Sequence, residues 1–161
     1  MTKASITGDV SDAVHTTKQY STFHIGDLFF GIEVVKVQEV LRWQEMTRVP
    51  LAPEVIEGLI NLRGQIVTAL DMRRRLGLSP APPGSTPMNM VIRCDDGAVS
   101  LLVDEIGDVI EVSPESYESV PENMPPEQRD LIDGVYKLQQ RLLLVLNTEH
   151  AVRSEGTSPS G

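Results

Sequence analysis

A chain of 161 residues is the size of one domain or of two small halves packed together, and its 40% hydrophobic content supplies a core. Its 14 basic and 23 acidic residues leave a net charge of −9, which argues against nucleic acid and anionic membranes as partners, since both need clustered Lys and Arg. The longest apolar run, Leu142 to Leu146, has a buried strand's length, residues 1–5 open no signal core, and a single Cys94 excludes an internal disulfide and fits a reducing compartment, so the chain reads as cytoplasmic without direct membrane insertion.

Residues 1–18 are polar and aperiodic and read as a flexible N-terminal arm; residues 153–161, rich in Ser, Gly, Thr and Pro, read as a flexible tail. Gly26-Asp27 separates the run ending in Ile25 from Leu28-Phe29-Phe30, and Asp95-Asp96-Gly97 separates Met90-Val91-Ile92 from Val99 to Val103. Both predict hairpins, because Asp and Gly tolerate the positive φ of tight turns. Glu54 to Gly58, following Pro53, predicts a short helix or turn, and Gln65 to Leu70 a buried strand. Asp71 reads as the N-cap of a basic turn, Arg73-Arg74-Arg75, ended by Gly77. Residues 78–87 hold four prolines and a glycine and form a connector. The expectation is a mainly β protein with a few short helices.

An internal repeat organises these elements. Residues 55–76 align without a gap on residues 131–152, with Ile56, Gly58, Leu62 and Leu70 identical to Ile132, Gly134, Leu138 and Leu146. Residues 20–40 align on 89–109, setting Val37 against Ile106, Glu39 against Asp108 and Val40 against Val109. The two offsets differ by seven residues, which places an insertion in the second copy around Pro114 to Pro126. The chain therefore reads as two tandem β modules, about 19–77 and about 88–152, joined by the connector. Each is near the lower size limit for an independent core, so the two should pack together, and closing each sheet into a small barrel would remove its edges.

No catalytic constellation is apparent. His15, His24 and His150 are scattered without zinc-like spacing, and Cys94 reads as a structural thiol. Gly58 to Gly64 lacks the ending of a phosphate loop, and no Gly-x-Ser-x-Gly elbow occurs. Asp104, Glu105 and Asp108 read as a solvated acidic turn. The repeat adds a test: a residue present in one copy but not the other is not required by the shared fold. Arg63 is matched by Gln139, so it is a candidate for binding a carboxylate, or for an internal salt bridge with Glu57 or Asp71.

The stretches Phe30 to Val40, Ile60 to Val67, Leu70 to Arg73 and Leu102 to Val109 resemble the CheW family, over roughly residues 19–152. One departure is Thr68-Ala69, where that family commonly carries a proline. The resemblance implies two small five-stranded β-barrel subdomains packed side by side, with no catalytic activity, cofactor or metal. It implies an adaptor that couples chemoreceptors, the methyl-accepting chemotaxis proteins, to the histidine kinase CheA. The receptor's cytoplasmic tip would lie in a groove between the halves. The regulatory domain of CheA, and other CheW-like proteins in rings, would be further partners. Carried over by position, the receptor-facing residues are Val37, Glu39, Gly58, Arg63 and Val109. Kinase-facing residues are sought in the insertion, at Tyr117, Glu122 and Met124. The acid shared by Glu39 and Asp108 leaves two roles open, a cap common to both halves or a receptor contact. Rival readings are a CheW-like scaffold of twitching motility or development, a CheV-like module, for which no receiver segment is expected here, and a small β-barrel enzyme with an unseen site.

Overall fold

In the computed structural model the described residues are 17–95 and 97–153. Most of the expected arm, including His15, and the tail after Arg153 lie outside them, as does Asp96 of the second expected hairpin. Within the expected arm, Lys18 already belongs to the first strand.

Strands β1 (Lys18–Ile25) and β2 (Leu28–Glu33) form the first expected hairpin around Gly26-Asp27, with Gly26 at φ +59°. Strands β6 (Met88–Cys94) and β7 (Gly97–Val103) form the second, paired from Met88↔Val103 to Cys94↔Gly97. A 3-10 turn, Val34–Lys36, leads from β2 to β3 (Val37–Leu41), and Asp104 alone separates β7 from β8 (Glu105–Val112). Two further hairpins are β4 (Ile56–Leu62) with β5 (Gln65–Asp71), and β10 (Ile132–Lys137) with β11 (Leu142–Leu146). Helices α1 (Met72–Arg75) and α3 (Thr148–Val152) follow β5 and β11. The insertion between β8 and β10 carries β9 (Tyr117–Glu118) and α2 (Pro126–Arg129). The helix or turn expected at 54–58 is corrected. Only Glu54-Val55 turn, and from Ile56 the chain joins a strand whose bulge pairs Ile56 with Leu70 and Gly58 with Ala69.

The strands build two mixed sheets, ordered β8-β1-β2-β11-β10-β9 and β3-β6-β7-β5-β4. Apart from β9, which has no matching strand, exchanging matched segments turns one order into the other, and the register follows. Ile132↔Leu146 and Gly134↔Val145 repeat the bulge of Ile56↔Leu70 and Gly58↔Ala69. Phe23↔Ile106 and Ser21↔Val109 repeat that of Val37↔Ile92 and Val40↔Met90. The caps repeat as well: Asp71 accepts from the Arg74 N–H and Asn147 from the His150 N–H. At Thr68-Ala69, the departure from the CheW pattern, β5 keeps its ladder to both β4 and β7.

Pairing does not follow the division at the connector, which corrects the expected composition of the modules. The β1–β2 hairpin joins β8, β10 and β11, while β3, β4 and β5 join the β6–β7 hairpin. Each copy gives its first hairpin to the remaining strands of the other. Beyond β3 and β8 the chain bends to the far edge of the same sheet: Thr47 bridges Leu59 on β4, and β9 pairs with β10. No ladder joins β3 to β4 or β8 to β10 among the described residues.

The largest core cluster draws on both sheets, with Phe23, Phe30 and Ile32 from one and Leu70, Met90 and Leu101 from the other. Smaller clusters occupy the opposite faces, one around Tyr20, Tyr136 and Leu143, the other around Ile60, Val67 and Val91. Strands buried on both faces explain the short, nearly unbroken apolar runs in the sequence.

Candidate functional site

The β4–β5 turn consists of Arg63 and Gly64, both left-handed at φ +53° and +90°. Two positive φ values match the twist of a tight hairpin, and the Asn61 side chain accepts a hydrogen bond from the Gly64 N–H at 2.9 Å. An arginine here carries the steric cost of a Cβ in the left-handed region, about 1 kcal/mol. Its side chain is 70% exposed and pairs with Glu39 on β3, itself 21% exposed. This corrects the internal partners expected for Arg63: Glu57 and Asp71 instead pair with Arg74, at 3.5 and 3.4 Å. Asp108, the match of Glu39, offers its backbone carbonyl to the Thr22 hydroxyl at 2.5 Å, and its carboxylate makes no hydrogen bond or ion pair among the described residues. The two acids share a place beside a bulge but not a bond.

Arg63→Gly removes both the strain and an exposed ion pair worth about 0–1 kcal/mol, so the two effects offset each other. The melting temperature should stay within about 3 °C of wild type, with Arg63→Ala melting below Arg63→Gly because it keeps the strain. Thermal melts of both variants check this; a drop of more than about 5 °C in Arg63→Gly would make the arginine structural.

Asp104, expected in a solvated acidic turn, is instead a junction, while Glu105 and Asp108 are exposed as expected. Both its carboxylate oxygens accept from Arg73 on α1, at 2.9 and 2.7 Å, and one also accepts from the Gly26 N–H at 2.6 Å. Arg73 also donates to the Ser79 carbonyl at 2.8 Å. Burial works to raise the Asp104 pKa, but the hydrogen bonds from Arg73 and Gly26 overcome it and hold the carboxyl below its ordinary 3.8. Nearby, Arg75 donates to the carbonyls of His150, Ala151 and Arg153, closing the C-terminal end of α3. The repeat carried the signal for both arginines. Their matches are Glu149 and Ala151, so the test that singled out Arg63 would also have singled out Arg73 and Arg75.

A family model described as "CheW-like domain" matches residues 19–156. The chain belongs to the CheW-like domain family. It is 30% identical to the "Probable chemotaxis protein CheW" of Rhizobium etli, over 82% of this chain and 85% of that one. It is 30% identical to the "Chemotaxis protein CheW" of Bacillus subtilis, over 89% and 92%. Its fold matches that of the scaffolding protein TtCheW from Thermoanaerobacter tengcongensis with a TM-score of 0.79 at 23% identity, covering 89% of this chain and 98% of that one.

In this CheW-like chain the five receptor-facing candidates are distributed unevenly. Glu39 and Arg63 touch, and Val37 lies two residues away on β3, half-buried against the shared core. Gly58 is buried under the 46–47 segment, where an added Cβ would stand 2.9 Å from the Thr47 carbonyl oxygen. Val109 lies on β8, in the other sheet, and is 56% exposed. Its match Val40 is 38% exposed, so β3 and β8 each show solvent one valine. Among the insertion candidates only Glu122 is simply exposed. Met124 packs against the core. Tyr117 lies edge-on to Tyr136 and donates to the Asp133 carbonyl at 3.2 Å, over the space that Gly134 leaves open. Gly58 and Gly134, identical in the repeat, thus admit different neighbours on equivalent strands. His24 accepts from Arg141 at 3.2 Å, and the His150 Nδ1 reaches the Asp130 carbonyl at 3.0 Å. No group of three or more metal-ligating side chains occurs among the described residues, and no helix there is long and apolar enough to cross a membrane.

Proposed function

We propose that this chain is a non-catalytic chemotaxis adaptor that couples chemoreceptors to the histidine kinase CheA. The observation that carries the reading is Arg63: a strained turn places a charged fork in solvent, oriented by Glu39, at a position the second copy fills with Gln139. A fixed guanidinium beside an acid suits the amides and charges of a helical receptor tip. Val37, Glu39, Arg63 and Val109 are the proposed receptor-facing set, with Gly58, buried under the 46–47 segment, acting only through that segment. Glu122 with the exposed side of Tyr117 is a proposed kinase-facing set. Each sheet, joined to its far edge by the chain beyond β3 or β8, is inferred to roll into an open barrel. Such a protein would work in the cytoplasm, recruited to receptor arrays, and could meet other CheW-like chains in rings. Asp104, the acid of this turn with close partners, is engaged by Arg73 and Gly26 in holding α1 to the β1–β2 turn.

Co-sedimentation of CheA with receptor assemblies tests the reading. The wild-type chain should bring the kinase down. Arg63→Ala and Val109→Asp should each weaken this about fivefold or more, with melting temperatures near wild type. Wild-type protein that leaves CheA in the supernatant would end the adaptor reading.

A further inference from the structure

A cleft of about 750 Å³ opens between the β1–β2 turn, α1, the proline connector and the start of β8. None of the residues proposed above to face the receptor or the kinase lines it. One wall is Trp43, the chain's single tryptophan, 46% exposed. Pro80, Pro82 and Pro87 of the connector supply apolar surface.

The charge of the cleft is unbalanced. Two arginines and five carboxylates line it. Both arginines are already engaged: Arg73 by Asp104 and Ser79, Arg74 by the Glu54 carbonyl and by Glu57 and Asp71. Asp27 and Glu105 are exposed and have no ion-pair partner among the described residues. What remains to meet an incoming group is an indole face, proline rings and two uncompensated carboxylates. A guanidinium or ammonium on an apolar stem satisfies all three, since an indole attracts a cation and the stem covers the prolines. An anion would meet repulsion, and a neutral apolar group would desolvate the acids without return.

We propose that this cleft docks an arginine- or lysine-bearing segment of a partner protein, with the cation at Trp43 between Asp27 and Glu105. The site is additional to the receptor and kinase surfaces and does not depend on them.

The single tryptophan makes the cleft its own reporter. The test titrates the full chain with the peptide acetyl-Ala-Arg-Ala-Arg-Ala-amide, following Trp43 fluorescence, beside the same peptide with citrulline for arginine. A saturable change is expected, with affinity at least about tenfold weaker for the citrulline peptide and at 0.5 M salt. Asp27→Asn with Glu105→Gln should weaken binding about fivefold or more while the melting temperature holds. Three results would each overturn the proposal: no saturable change at millimolar peptide, equal binding of the citrulline peptide, or unchanged affinity in a folded double variant.

Discussion

Cut within the connector, between Gly84 and Ser85, the chain is expected to yield two fragments that are each unfolded alone and fold when mixed. The reason is the reciprocal exchange of the first hairpins, β1–β2 and β6–β7. Without the C-terminal fragment, β1 loses β8, β2 loses β11, β3 loses β6 and β5 loses β7. The remaining hairpins would show open edges on both sides, and a lone hairpin is marginal in water. The shared core would be divided too, leaving Phe23, Phe30 and Leu70 without Met90, Leu101 and Leu144. Two dispersed-free amide spectra that become the intact protein's spectrum at equimolar mixing would bear this out. A dispersed, cooperatively melting spectrum from either fragment alone would show that the halves are independent.

The second large effect is expected at Asp104. Asp104→Ala should lower stability by about 2–3 kcal/mol, or about 5–10 °C in melting temperature, because it removes charge-assisted hydrogen bonds and leaves Arg73 partly buried and unpaired. Arg73 has a side-chain exposure of only 17% and keeps just the Ser79 carbonyl. The double variant Arg73→Ala with Asp104→Ala should therefore cost less than the sum of the singles; strict additivity would show that the pair is not coupled. The pH dependence has a definite sign. A carboxyl held below its unfolded value of 3.8 adds stability above that pH and loses it as the pH falls through the folded value. The gap between wild type and Asp104→Asn should thus be full at neutral pH and close below about pH 4, as measured by denaturant melts at a series of pH values.

Local chemistry made much of this protein legible in its sequence. The Gly26-Asp27 turn and the Asp71 cap depend on a few adjacent residues, and both stand as expected. The repeat specified equivalent positions so closely that even the bulges at Gly58 and Gly134 coincide. Partner choice was another matter. Aligning the copies says that β3 and β8 are equivalent, but equal strands offer equal ladders, and nothing in the alignment says which sheet each joins. The sheet order and the chain length between strands decide it. With only Asp104 between β7 and β8, β8 cannot reach the far side of β6, two strand spacings or roughly 10 Å away, so it crosses to β1 and the place beside β6 falls to β3. The charges follow the same rule. The sequence marked Arg63 as dispensable to the fold, whereas its pairing with Glu39 rather than Glu57 or Asp71 was settled by β3 and the β4–β5 turn coming together and by α1 placing Arg74 beside the other two acids.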